Sequence, residues 1–182
     1  MLMSCGPWKP VYLESFVSRI EDLSFVGEVR EDLQSAKISA TAEVVGEAKG
    51  VVFILTTPDR KRMKVARAGV ADGKAVTTFR VDSPELWWPH GYGKQPLYSL
   101  EAVLDEGADS ASKKLGLRRA RVVERPLKGQ EGKSFFFEIN NTPIWAAGSN
   151  WIPADSFLTT LNKKRYKRWL ELARDGRQNM IR

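Results

Sequence analysis

AKISATAEVVGEAKGVVFIL, residues 36–55, carries the period that decides the fold. In its first half apolar and polar side chains alternate, with Ile38, Ala40, Ala42 and Val44 on one face. A period of two is that of a strand with one face buried. After a glycine-bounded turn, Val51-Val52-Phe53-Ile54-Leu55 runs without a polar break, the mark of a strand in a core, and Thr56-Thr57-Pro58-Asp59 turns it. Outward from this pair the pattern repeats. Ile20, Leu23 and Phe25 precede it; Val65, Ala75–Phe79 with Val81, Leu97–Leu104 and Leu117–Val123 follow. About seven short strands with turns between them, over roughly a hundred residues, predict an immunoglobulin-like β-sandwich across 19–123. Such sandwiches do not require paired cysteines, and Cys5 is the only cysteine.

Composition bounds the rest. At 182 residues and 42% hydrophobic, the chain is long and apolar enough for a packed core of ordinary domain size. No apolar run approaches the ~18 residues of a membrane span. The first ten residues, MLMSCGPWKP, lack the basic and apolar regions of a signal peptide. Together with the single cysteine this leans the expected location toward the cytoplasm, with no membrane partner. The net charge of +7 raises nucleic acid as a partner. The basic clusters at 113–125 and 163–168 sit on no recognisable nucleic-acid module, so they read as solvated surface and no nucleic-acid partner is expected. His90 is the only histidine, which excludes a Ser-His-Asp triad and a multi-histidine metal centre. No cofactor or metal is expected.

A second segment departs from the strand pattern. FFFEINNTPIWAAGSNWIPADSF, residues 135–157, opens with an apolar run, turns at Asn140–Pro143 and resumes at Ile144–Ala147. Past Gly148 polar and aromatic residues crowd together: Ser149, Asn150, Trp151 and Asp155. A polar, aromatic loop just beyond a buried strand is how a rigid scaffold presents a site. A helix with an apolar stripe of Leu161, Trp169, Leu170, Leu172 and Ala173 is predicted over 159–174, capped by Thr159 or Thr160. Gly176 ends it, and Gln178–Arg182 reads as another strand. Strand, loop, helix, strand is the order of a βαβ unit.

These residues resemble a known family. GSNWIPADSF, preceded by FFFEINNTPIWAAG, is similar to the opening of the catalytic barrel in β-mannosidases of glycoside hydrolase family two. GPWKPVYLE at 6–14, ELWWPHGYGKQPLYSLEA at 85–102 and QNMIR at 178–182 extend the resemblance in the family's order. It implies a mainly β chain: residues 1–18 as the remnant of a sugar-binding β-domain, then the sandwich at 19–123. A linker at 124–134 and the first, truncated βαβ unit of a (β/α)8 barrel at 135–182 complete it.

It also implies a substrate, a terminal β-mannoside of an oligosaccharide, and a set of substrate-binding residues: Asn150, Trp151, Asp155 and Arg182. The family's two catalytic glutamates match no residue of this chain, so no catalytic residue is assigned and the chain alone is expected to be inactive. Unpaired strand edges and an exposed helix stripe in 135–182 lead to an expectation of self-association. The competing reading is a stand-alone β-sandwich that binds carbohydrate or protein through Trp87, Trp88 and Tyr92.

Overall fold

The structure is a computed structural model and describes residues 6–7, 9–105, 107, 109–152 and 154–182. It divides into two compact units, one formed by 17–146 and one by 147–182 with the N-terminal residues.

The first unit is built on seven strands: β1 (Ser18–Val29), β2 (Ser35–Gly46), β3 (Gly50–Thr56), β4 (Arg62–Gly69), β5 (Lys74–Asp82), β6 (Tyr98–Leu104) and β7 (Ser110–Leu115). They form two antiparallel sheets, ordered β1-β2-β5 and β4-β3-β6-β7. The chain crosses between sheets after β2, β4 and β5, the Greek-key wiring of an immunoglobulin-like sandwich. The alternation read in residues 36–45 is the burial pattern observed. Ala36, Ile38, Ala40, Ala42 and Val44 are buried against Val51, Phe53 and Leu55 of the facing sheet.

Side-chain size is matched across the strands. Phe53 lies opposite Ala66 of β4 and Ala102 of β6, so its ring occupies the volume that two small neighbours leave. Each large side chain fully buried this way contributes roughly 1.5–3 kcal/mol. Gly46 lies opposite Ser18 with φ +102, and a Cβ there would overlap the Val17 carbonyl oxygen, so the β2 end requires glycine.

The seventh sandwich strand is Ser110–Leu115 rather than Leu117–Val123. SASKKL shows too little apolar character to stand out in the sequence, because it is an edge strand that turns only Ala111 and Leu115 inward. Outward lysines on an edge discourage pairing with other chains, and Lys113 also bonds Asp22 of β1 at 2.7 Å.

Residues 120–144 form a separate antiparallel sheet in the order β10-β9-β8: β8 (Ala120–Val123), β9 (Phe136–Ile139) and β10 (Thr142–Ile144). Residues 124–134, expected as a linker, are the connection of the β8–β9 hairpin. Arg125 N donates to Ser134 Oγ, Ser134 N to Arg125 O, and Leu127 N to Gly132 O. A polar, glycine-containing stretch reads the same in sequence whether it tethers or turns.

The β9–β10 turn places Asn140 and Asn141 at φ +49 and +63, which asparagine tolerates. Asn140 is 3% exposed and fully employed. Its N–H donates to Arg119 O, its Oδ1 accepts from Arg119 N at 2.9 Å, and its Nδ2 donates to Trp87 O at 3.1 Å. A glycan on the Asn140-Asn141-Thr142 triplet is therefore incompatible with this fold.

In the second unit, β11 (Gly148–Ser149) pairs in parallel with β12 (Met180–Ile181), and helix α1 (Lys163–Asp175) connects them. The first of these strands begins at Gly148, later than the Ile144–Ala147 run suggested. Asn162, not Thr159 or Thr160, caps α1, accepting from Arg165 N at 3.0 Å. The threonines belong to a short 3-10 turn, Leu158–Thr160. Gly176 closes the helix through its N–H to Leu172 O. No residue of α1 is buried; Trp169, Leu170 and Leu172 of its stripe are exposed. The strand-like reading of 6–17 is not met either, since Val11, Tyr12 and Leu13 are exposed and no strand forms among the described residues there.

Candidate functional site

Two parallel neighbouring strands point their C-terminal ends the same way, so the residues that follow them share one mouth. Here β11 leads into Asn150 and Trp151, and β12 into Arg182. Backbone ladders continue past both strands. Arg182 N donates to Ser149 O at 3.2 Å, and Trp151 N to Arg182 O at 2.6 Å. The side chains then meet, with Arg182 Nη1 donating to Asn150 Oδ1 at 3.3 Å. One glycine makes the close pairing feasible: a Cβ on Gly148 would overlap the Met180 carbonyl.

Beside this mouth lies a cavity of about 410 Å3 lined by Ser149, Asn150, Trp151, Ile152, Trp169 and Gln178, among others. Polar groups at its strand end and apolar groups on its helix side give it the mixed lining of a small-ligand site. Trp151 is half-buried and stacks on Tyr166 of α1, centroids 6.3 Å apart at 24°.

Three of the four predicted site residues, Asn150, Trp151 and Arg182, are thus brought together. Asp155 stands apart from that contact, against the first turn of α1. Its Oδ1 accepts from Phe157 N at 2.9 Å and its Oδ2 from Arg165 Nη1 at 3.1 Å. The Phe157 N–H, then the Thr160 hydroxyl and, more weakly, Arg165 hold the Asp155 carboxyl below its ordinary value of 3.8. A depressed carboxylate pKa makes the ionised loop stable above the ordinary value, with that contribution lost as pH falls through the lowered one.

Sequence reasoning missed Gln178, Arg165 and Tyr166. Gln178 Oε1 accepts from Ser149 Oγ at 2.9 Å. The signal for the other two was Asn162, since a cap at that position directs residues 165 and 166 back toward the preceding loop. Among the described residues no three His, Cys, Asp or Glu side chains gather as a metal site. No described helix is long and apolar enough to cross a membrane.

The aromatic loop of the sandwich is closed on itself. The Arg118 guanidinium lies 4.7 Å over the Trp87 ring, while Gly116 and Gly93 back against Trp87 and Trp88. Tyr92 Oη accepts from Trp145 N at 2.9 Å.

The family model of the glycosyl hydrolases family 2 matches residues 18–118, the seven-stranded sandwich. The chain belongs to glycosyl hydrolase family 2. Among relatives, Beta-mannosidase B of Thermothelomyces thermophilus is 43% identical over 185 residues, and that of Emericella nidulans is 43% identical over 188. Each match covers 100% of this chain and 22% of the relative, so this family 2 chain spans about a fifth of their length. Among solved structures, the β-D-mannosidase of Dictyoglomus thermophilum superposes with a TM-score of 0.74 at 28% identity. That match covers 92% of this chain and 22% of that one. The Parabacteroides merdae β-glucuronidase reaches 0.74 at 14% identity over 91% of this chain and 21% of its own, a likeness of fold alone.

Proposed function

We propose that this chain is the sandwich and barrel-opening portion of a retaining β-mannosidase that releases terminal, non-reducing β-D-mannose from oligosaccharides. On this reading β11, α1 and β12 are the first βαβ unit of a (β/α)8 barrel. Asn150, Trp151, Asp155 and Arg182 form part of the wall around the mannoside.

The observation that carries the reading is the meeting of Arg182 with Asn150 at the C-terminal ends of two parallel strands. Barrel enzymes build their sites at that end. An amide and a guanidinium supply the donors and acceptors that ring hydroxyls need, and Trp151 supplies an apolar surface for the ring. The β-mannosidase names of the similar proteins support the choice of sugar.

Retaining hydrolysis uses two carboxyl groups about 5–5.5 Å apart. Asp155 is the single acid in this loop, and its carboxylate is held by Arg165 and the Phe157 N–H. On this reading the loop supplies pocket wall and no catalytic pair. Saturation-transfer NMR with methyl β-D-mannopyranoside is expected to show the sugar in contact with the chain, and Arg182→Ala to weaken the transfer. In parallel, a chromogenic β-mannoside is expected to be hydrolysed no faster than in buffer. No transfer to the unsubstituted chain would overturn the pocket; turnover that tracks pure protein would overturn its division from the catalytic pair.

A further inference from the structure

Consecutive residues of the first turn of α1 hold both ends of the 151–155 loop. Tyr166 stacks on Trp151, and Arg165 bonds Asp155. Arg165 does more than pair. Its Nη1 also donates to Thr160 Oγ1 at 3.2 Å, Thr160 Oγ1 donates to Phe157 O at 2.9 Å, and Phe157 N returns to Asp155 Oδ1. The result is a closed ring of contacts from Asp155 through Phe157, Thr160 and Arg165 back to Asp155. The Asn162 cap fixes Arg165's own backbone at the base of the ring.

We propose that Arg165 is a positioning residue for the sugar pocket, setting the Asp155 carboxylate and the path of the 151–157 loop to receive ring hydroxyls. The proposal rests on the mannoside-pocket reading. Both carboxylate oxygens are anchored, one on a backbone N–H and one on the guanidinium, so the group enters binding already oriented. Each oxygen has room for more than one donor and so keeps capacity for a hydroxyl. Arg165 itself bonds the loop and not the cavity: its side chain is 40% exposed and that of Asp155 24%. A guanidinium can bridge an aspartate and a hydroxyl from one rigid fork, which the single ammonium of lysine does with looser geometry.

The test uses the whole 15N-labelled chain, with methyl β-D-mannopyranoside as the probe. In Arg165→Met the apparent Kd read from the amides of Ser149, Asn150, Trp151, Ile152, Ala154 and Asp155 is expected to rise about tenfold, and in Arg165→Lys by about threefold. Hydrogen exchange at Phe157 N is expected to speed in Arg165→Met, while exchange in the sandwich and at Gly176 N stays unchanged and reports intact folding. Equal sugar affinity in Arg165→Met and the unsubstituted chain would overturn the role of Arg165 and leave the pocket standing. An unsubstituted chain that shows no shifts at 149–155 would overturn the pocket and, with it, the sugar role of Arg165. Unchanged Phe157 exchange in Arg165→Met would overturn the positioning step whatever the sugar does.

Discussion

Phe53→Ala is expected to cost the sandwich about 3–5 kcal/mol, enough to consume much of a typical domain's stability of about 5–15 kcal/mol. Phe53 is 0% exposed, and its cross-strand neighbours, Ala66 and Ala102, are too small to fill the space its ring would vacate. The loss therefore combines the transfer of the ring with an uncollapsed cavity. Urea unfolding followed by circular dichroism should show a lower midpoint with an unchanged slope. Val52, one position away, faces outward and is only half-buried. Val52→Ala should shift the midpoint by less than about 1 kcal/mol. Comparable losses at both positions would contradict the inward and outward assignment of β3.

Gly148→Ala is expected to have the second largest effect, confined to the site unit. The added methyl would overlap the carbonyl of Met180, its partner in the parallel pair, and backbone atoms cannot swing aside as a flexible side chain can. Overpacking of this kind costs about 3 kcal/mol, roughly a hundredfold in local opening. Hydrogen exchange should quicken at Asn179, Met180, Trp151 and Arg182, whose N–H groups bond across this pair. The sandwich amides should be unaffected. Full protection at Met180 and Trp151 in the variant would show that the two strands do not approach as described.

What the sequence revealed and what it concealed follow from the range of each interaction. The sandwich was legible because a half-buried strand must alternate, and residues 36–45 do so, while 51–55 run apolar as a core strand does. The polar edge strand β7 was not, because an edge buries too few residues to impose a period. Residues 117–123 show apolar character for two other reasons: Leu117 is buried in the sandwich core, and Ala120–Val123 form β8 in the sheet with β9 and β10, next to the Asn140–Arg119 bond. No local pattern announces a buried asparagine whose partners lie at Arg119 and Trp87.

At the site, the polar loop after Gly148 was visible as a change of composition, whereas the grouping of Asn150, Trp151 and Arg182 followed only from family resemblance. Arg182 meets Asn150 across thirty-two positions of chain, a distance that only the βαβ crossover closes. The Asp155–Arg165 pair is shorter in sequence, yet it depended on placing the cap at Asn162.

The most direct measurement of the central claim reads the six tryptophan indole N–H resonances of the 15N-labelled chain during titration with methyl β-D-mannopyranoside. Trp151 borders the proposed mannoside pocket, while Trp87 lies under Arg118 and Trp88 against Gly93 in the sandwich loop. The predicted result is a saturable shift of the Trp151 resonance, assigned by its loss in Trp151→Phe, with Trp87 and Trp88 stationary. Shifts of Trp87 or Trp88 with Trp151 stationary would make the sandwich loop the sugar-binding surface and contradict the account.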